Sequence, residues 1–170
     1  MTRFSRSIRH LATYKNIRHY RGHGIHSPFV YNLVRNVVME HRVISDDKKI
    51  YDAMLEQKLP SKASAQLQNL YNYLSYKDNS IIHAGNLPDT YDPDILYFIS
   101  ADTREQAMET VISGVRSVKG TVVVLYPRQS RSRMRFLNTL MSDQDFLSVD
   151  NRRFLILFFS NKLPRQHYKL

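Results

Sequence analysis

The chain has 170 residues, 42% hydrophobic and 24% charged, a balance that fits one globular domain with a real core and excludes a disordered tail or a fibrous repeat. No apolar run approaches the length of a membrane span, no apolar leader core follows the basic N-terminus, and there is no cysteine, so disulfides and thiolate metal sites are excluded and a cytoplasmic location with no membrane association is expected. The net charge of +10 divides as +7 over residues 1–42, −3 over 43–127 and +6 over 128–170, a pattern that suits nucleic acid, an acidic protein partner or simply a solvated basic surface.

From Phe4 to about Tyr20, Phe4, Ile8, Leu11 and Ala12 fall at helical spacing among basic residues, predicting an amphipathic helix that packs on the domain. The stretch "RGHGIHSPFVYNLV" then reads as a helix start. Gly22 and Gly24 permit a sharp turn, Ser27 suits the N-cap, and Pro28 suits the first helical position, where a missing N–H costs nothing. Phe29, Leu33, Val34, Val37 and Val38 form a core-facing stripe, so a helix is predicted from Pro28 to about Glu40. A second helix is predicted over about Ala63 to Leu74, where Leu67, Leu70, Tyr71 and Leu74 share a face.

Beyond it the pattern alternates. Strands are predicted at 80–84, 94–100, 120–126, 145–150 and 153–159, with helices over 103–115 and 130–141. Thr103 and Gln106 read as a capping box, and Ser130 as the cap of the later helix. This order argues for α/β layering, with a mostly parallel sheet of about five strands and a C-terminal antiparallel pair. Residues 1–60 form a basic helical N-terminal region packing on an α/β core of residues 61–170, the whole a single globular unit.

"GIHSPFVYNLV" resembles the N-terminal signature of a bacterial class I S-adenosylmethionine-dependent methyltransferase-like family, in which a G-I-H-S-P-F-V-[YF]-x-L segment precedes the fold. "PSKASAQLQNLYNYLSYKDNSIIHAGN", "DPDILYFISADTREQAMETV" and "RFLILFFSNKLPRQHYKL" are similar to that family's helix into its first strand, a later strand and helix, and its last strand and tail. The resemblance implies a Rossmann-like sheet and, in an active member, a cofactor held by a glycine-rich loop and an acidic residue. Here His83 stands at the acidic position, Ser100 replaces the acid after "YFI", and Tyr126 and Pro127 replace a pair of aspartates. Only eight residues separate Gly85 from Asp94, too few for the further strands and helices of a cofactor-binding half, since one βαβ unit takes about 30. The expectation is a shortened relative, non-catalytic, with no cofactor and a binding or scaffolding role. The alternatives are an active methyltransferase holding S-adenosylmethionine at a rebuilt pocket of Gly85, Asn86 and Ser100, and a basic nucleic-acid-binding protein.

Three further features carry expectations. Arg21, His23, His26 and Ser27 could converge with a helix N-terminus on an anion, although the same residues more commonly just hydrogen-bond a turn. His23 and His26 lack the further ligands a zinc site needs, so no metal is expected. Arg128, Arg131, Arg133 and Arg135 form a basic cluster that suits nucleic-acid phosphates or a solvated face. In the resembling fold the strand at 80–84 would be central; shortened, it becomes an edge, where a homodimer is expected unless residues 1–60 cover it. No catalytic nucleophile with a paired base is recognisable.

Overall fold

The computed structural model describes residues 14–16, 27–143 and 145–170. In chain order the elements are β1 (Tyr14–Asn16), α1 (Pro28–Leu33, running into a π turn over Val34–Val38), α2 (Lys49–Glu56), α3 (Ser61–Tyr73), β2 (Asp78–Ile82), β3 (Ile95–Ile99), α4 (Glu105–Ser117), β4 (Thr121–Leu125), α5 (Arg131–Leu140), β5 (Leu147–Asp150), β6 (Phe154–Phe158) and β7 (His167–Lys169). The strands form one sheet in the order β1-β7-β5-β6-β4-β3-β2. Only β6 runs antiparallel to its neighbours, β4 and β5; every other pairing is parallel. This is the expected shortened, Rossmann-like α/β sheet, with seven strands rather than about five.

Strand alternation builds two cores, one on each face of the sheet. Leu96 and Phe98 of β3 and Val123 and Leu125 of β4 meet Val30, Leu33, Ile50, Met54, Leu67 and Leu70 from α1–α3. Tyr97 and Ile99, with Val122 and Val124, turn to the other face and meet Met108, Val111, Val115 and Leu137 from α4 and α5. Ser27 caps α1 by accepting a hydrogen bond from the Val30 amide at 3.4 Å, with Pro28 in its first turn. The helix widens into the π turn, closed by Met39 N donating to Val34 O at 2.9 Å, and Val34, Val37 and Val38 all remain buried. Ser130 caps α5 as expected, accepting from the Arg133 amide at 3.1 Å.

Four expectations are corrected. Tyr14–Asn16 is a strand, inside the segment read as a helix over 4–20; Tyr and Asn are weak helix formers, and pairing with β7 takes them. The remainder of that segment lies outside the described residues. The first strand sits two residues earlier than 80–84. Helix α4 begins at Glu105 without a side-chain cap, because Thr103 donates its hydroxyl to Ile82 O at 2.8 Å instead of closing a capping box. Helix α2 is an addition, and its N-terminus is capped from another helix: Gln68 Oε1 of α3 accepts from the Ile50 and Tyr51 amides at 2.8 and 3.0 Å.

The crossover from β2 to β3 positions the edge described next. Parallel neighbours need about a dozen connecting residues, and residues 83–94 supply that length without a helix. Gly85 turns the crossover at φ 93°, and Tyr91 lies in a notch made by the absent side chain of Gly114, where a Cβ would stand 2.1 Å from the ring.

Candidate functional site at the carboxyl edge of the sheet

In open α/β sheets the ligand crevice lies outside the carboxyl ends of the strands, because the loops there converge and leave backbone groups available. Here β2, β3, β4 and β5 end on one edge. Their following loops build two different neighbourhoods.

At the outer corner, Asp102 is the centre of a small cluster. Ser100 donates its hydroxyl to Asp102 Oδ1, and His83 Nδ1 lies 3.4 Å from the same oxygen. The Ser100 hydroxyl, then the His83 ring and the Ala84 amide, hold the Asp102 carboxyl below its ordinary range. A serine nucleophile needs its proton aimed at a base such as histidine; here the carboxylate stands between the two, and Ser100 is buried. The cluster is a knot that ties β2 to β3. Of the candidate cofactor residues, Ser100 is therefore engaged internally, whereas Gly85 and Asn86 are exposed on the crossover, with open space around Gly85.

The four arginines separate. Arg133 is only 4% exposed and donates to Thr103 O at 3.1 Å, Ser100 O at 3.0 Å and Leu125 O at 3.0 Å, fastening the ends of β3 and β4 to the start of α4. Burial lowers its pKa from the usual value, opposed by the Asp102 and Glu105 charges. It is not part of a phosphate-binding surface. Arg128 makes a two-pronged pair with Asp150, with Nη1 3.0 Å from Oδ1. Arg131 and Arg135 are exposed on α5. Of the other anion candidates, Ser27 is buried and used as the cap of α1; Arg21, His23 and His26 lie outside the described residues.

Beside Arg128 the edge opens into a cavity of about 490 Å³. Its cationic lining comes from the α2–α3 loop (Lys58), the loop after β4 (Arg128) and the β5–β6 turn (Arg152 and Arg153), with Tyr126 and Ala101 beside them. Three of these residues hold left-handed backbone: Lys58 at φ 62°, Tyr126 at 49° and Arg152 at 53°. Such conformations cost a non-glycine residue about 1–2 kcal/mol each and persist where neighbouring bonds fix them. The bonds are present: Tyr126 donates its hydroxyl to Lys58 O and its amide to Arg153 O at 2.8 Å, and the Arg152 amide donates to Asp150 Oδ1 at 2.9 Å. Asp150 thus orients Arg128 and the turn together.

At the amino edge, Lys49 pairs with Asp78 at 3.1 Å, Lys77 with Asp94 and Arg116 with Asp145. In the cavity, Lys58, Arg152 and Arg153 have no carboxylate partner among the described residues. Lys58, Tyr126, Arg152 and Arg153 were not expected as a site; the local signal is the paired arginines of "DNRRF". Among the described residues no group of three or more His, Asp or Glu is placed to hold a metal, and no helix is long and apolar enough to cross a membrane.

Fold and edge together define a shortened, open Rossmann-like α/β domain with a basic cavity at the carboxyl ends of its strands. The chain matches no protein-family profile, no curated protein and no solved structure.

Proposed function

We propose that the chain is a non-catalytic, methyltransferase-like binding module whose ligand face is the carboxyl edge of its sheet. The observation that carries the reading is the contrast between the two parts of that edge. The Gly85 loop, which in the resembling enzymes cradles S-adenosylmethionine, follows the outermost strand and has open space beside it, so a cofactor would rest against one wall only. The other hollow is lined by Lys58, Arg128, Arg152 and Arg153, with Tyr126 where the resemblance implies an acidic residue, and it suits an anionic ligand or an acidic partner.

Isothermal calorimetry with S-adenosylmethionine and with its demethylated product tests this. No heat is expected at millimolar ligand, and saturable binding would replace the module by the active-methyltransferase reading. The free side of β2 supports self-association as the mode of assembly, because Asp78–Ile82 pairs only with β3 among the described residues. Sedimentation equilibrium is expected to give a dimer at micromolar chain, and a monomer at every concentration would remove that part of the proposal.

A further inference from the structure

We infer that the basic cavity is a phosphate site for a nucleotide-sized ligand carrying a phosphomonoester or a longer phosphate chain; the inference rests on the carboxyl edge being the binding face. The charge comes first. Lys58, Arg152 and Arg153 surround one hollow without a carboxylate among the described residues to neutralise them, while Lys49, Lys77 and Arg116 at the amino edge each pair with an aspartate. Cations gathered in this way repel one another, and an anion relieves the repulsion.

The kind of anion follows from the donors. Two adjacent guanidinium groups offer planar forks that fit phosphate oxygens, and a lysine ammonium adds a point charge. A carboxylate brings one negative charge against three cations, whereas a phosphomonoester brings about 1.5 to 2 at neutral pH. The turns that carry the donors are held before a ligand arrives. The Tyr126 hydroxyl fixes the Lys58 carbonyl and Asp150 fixes the amide of Arg152, so the backbone is set and only the exposed side chains remain to be ordered on binding.

Size argues against a bare phosphate. A hollow of about 490 Å³ falls within the range of small-molecule sites, roughly 300–1,000 Å³. Tyr126 and Ala101 give it an aromatic and an apolar wall, and Gln57 and Gln129 bring side-chain amides. A phosphate bound by the cations with a flat heterocycle against Tyr126 uses both halves of the lining.

The test uses the full chain with adenosine 5′-monophosphate, adenosine, and a 5′-hydroxyl RNA hexanucleotide, each titrated by calorimetry at low and moderate salt. Saturable binding of the monophosphate and none of adenosine are expected. Lys58→Gln, and separately the double variant Arg152→Gln/Arg153→Gln, should each weaken the monophosphate about tenfold or more, with circular dichroism and melting temperature unchanged. Because the two variants lie on different loops, a folding defect in one leaves the other informative. The inference is overturned if adenosine binds as well as its monophosphate, if both variants bind the monophosphate as the parent does, or if nothing binds at millimolar ligand. It is also overturned if the hexanucleotide alone binds with steep salt dependence, which would place the contacts on the outer arginines Arg131 and Arg135. None of these failures touches the cofactor titration, whereas heat with S-adenosylmethionine would remove the reading beneath.

Discussion

Replacing Arg133 by methionine separates a structural arginine from a nucleic-acid contact. The side chain is 4% exposed and places three hydrogen bonds of 3.0–3.1 Å on the carbonyls of Ser100, Thr103 and Leu125. A hydrogen bond with a charged partner contributes about 1.5–3 kcal/mol, so the gross loss is about 4.5–9 kcal/mol. Two effects reduce it. Removing a buried cation recovers several kcal/mol of desolvation, and Ser100 O keeps the Thr103 amide at 3.4 Å. A net loss of about 2–4 kcal/mol remains, equivalent to a fall in melting temperature of about 4–16 °C for a domain of this size. Urea and thermal unfolding followed by circular dichroism measure it. Arg133→Lys should fall nearly as far, since one ammonium cannot reproduce a planar fork reaching three carbonyls. Arg131→Gln and Arg135→Gln, both at exposed positions, should stay within about 0.5 kcal/mol of the parent. An Arg133→Met protein as stable as the parent, or an equal loss at Arg131, would refute the reasoning.

Gly114→Ala should destabilise by about 1–2 kcal/mol, because its Cβ would stand 2.1 Å from the Tyr91 ring. In a Tyr91→Ser background the same change should instead stabilise by up to about 1 kcal/mol through helix propensity, and a sign that does not reverse in chemical denaturation rejects the notch. His167 is buried beside Ser148, with Nδ1 2.8 Å from Oγ, and burial lowers its pKa below the usual value. Below about pH 6.5 the unfolded chain takes up a proton that the folded chain resists. Its contribution to stability is therefore complete above that pH and declines as pH falls, by at most about 1.4 kcal/mol per unit. His167→Gln should flatten this slope below about pH 6.5 in urea titrations, and an unchanged slope assigns the effect to other groups.

What could be read along the chain was what local chemistry decides. Ser27 and Ser130 cap helices whose third residue lies three positions away, and β3 and β4 are continuous apolar runs buried on both faces. Where a distant partner wins, the reading fails. Thr103 prefers the carbonyl of Ile82 to its own helix, and α2 takes its cap from Gln68. Asn69 fixes the irregular segment before α2 from a distance, accepting from Ile44 N and donating to Arg42 O. Strands β1 and β7 have three residues each, too few for an alternation to register, and are held by pairing at the sheet's far side. The cavity was hidden for the same reason: Lys58, Tyr126 and Arg152 come from three connections, and nothing in a Lys, Tyr or Arg announces a left-handed backbone.

Those three conformations connect stability to binding. Glycine adopts φ near 50–60° without a steric penalty, although Ser75 and Lys119, away from the cavity, hold it too. Lys58 and Arg152 keep side chains at φ 62° and 53°. Lys58→Gly and Arg152→Gly should each relieve about 1–2 kcal/mol of strain and forfeit about 0.5–1 kcal/mol to the greater freedom of the unfolded chain. The folded protein should be unchanged or more stable by up to about 1.5 kcal/mol, while affinity for a phosphate ligand falls about tenfold or more. The hydrogen bonds at these turns use backbone atoms that glycine also has, so stability should not fall; a supporting role for the side chains themselves predicts the reverse. Denaturation and calorimetry on the same two variants distinguish the cases: lost stability with ligand affinity intact would show that the side chains support the turns rather than the ligand.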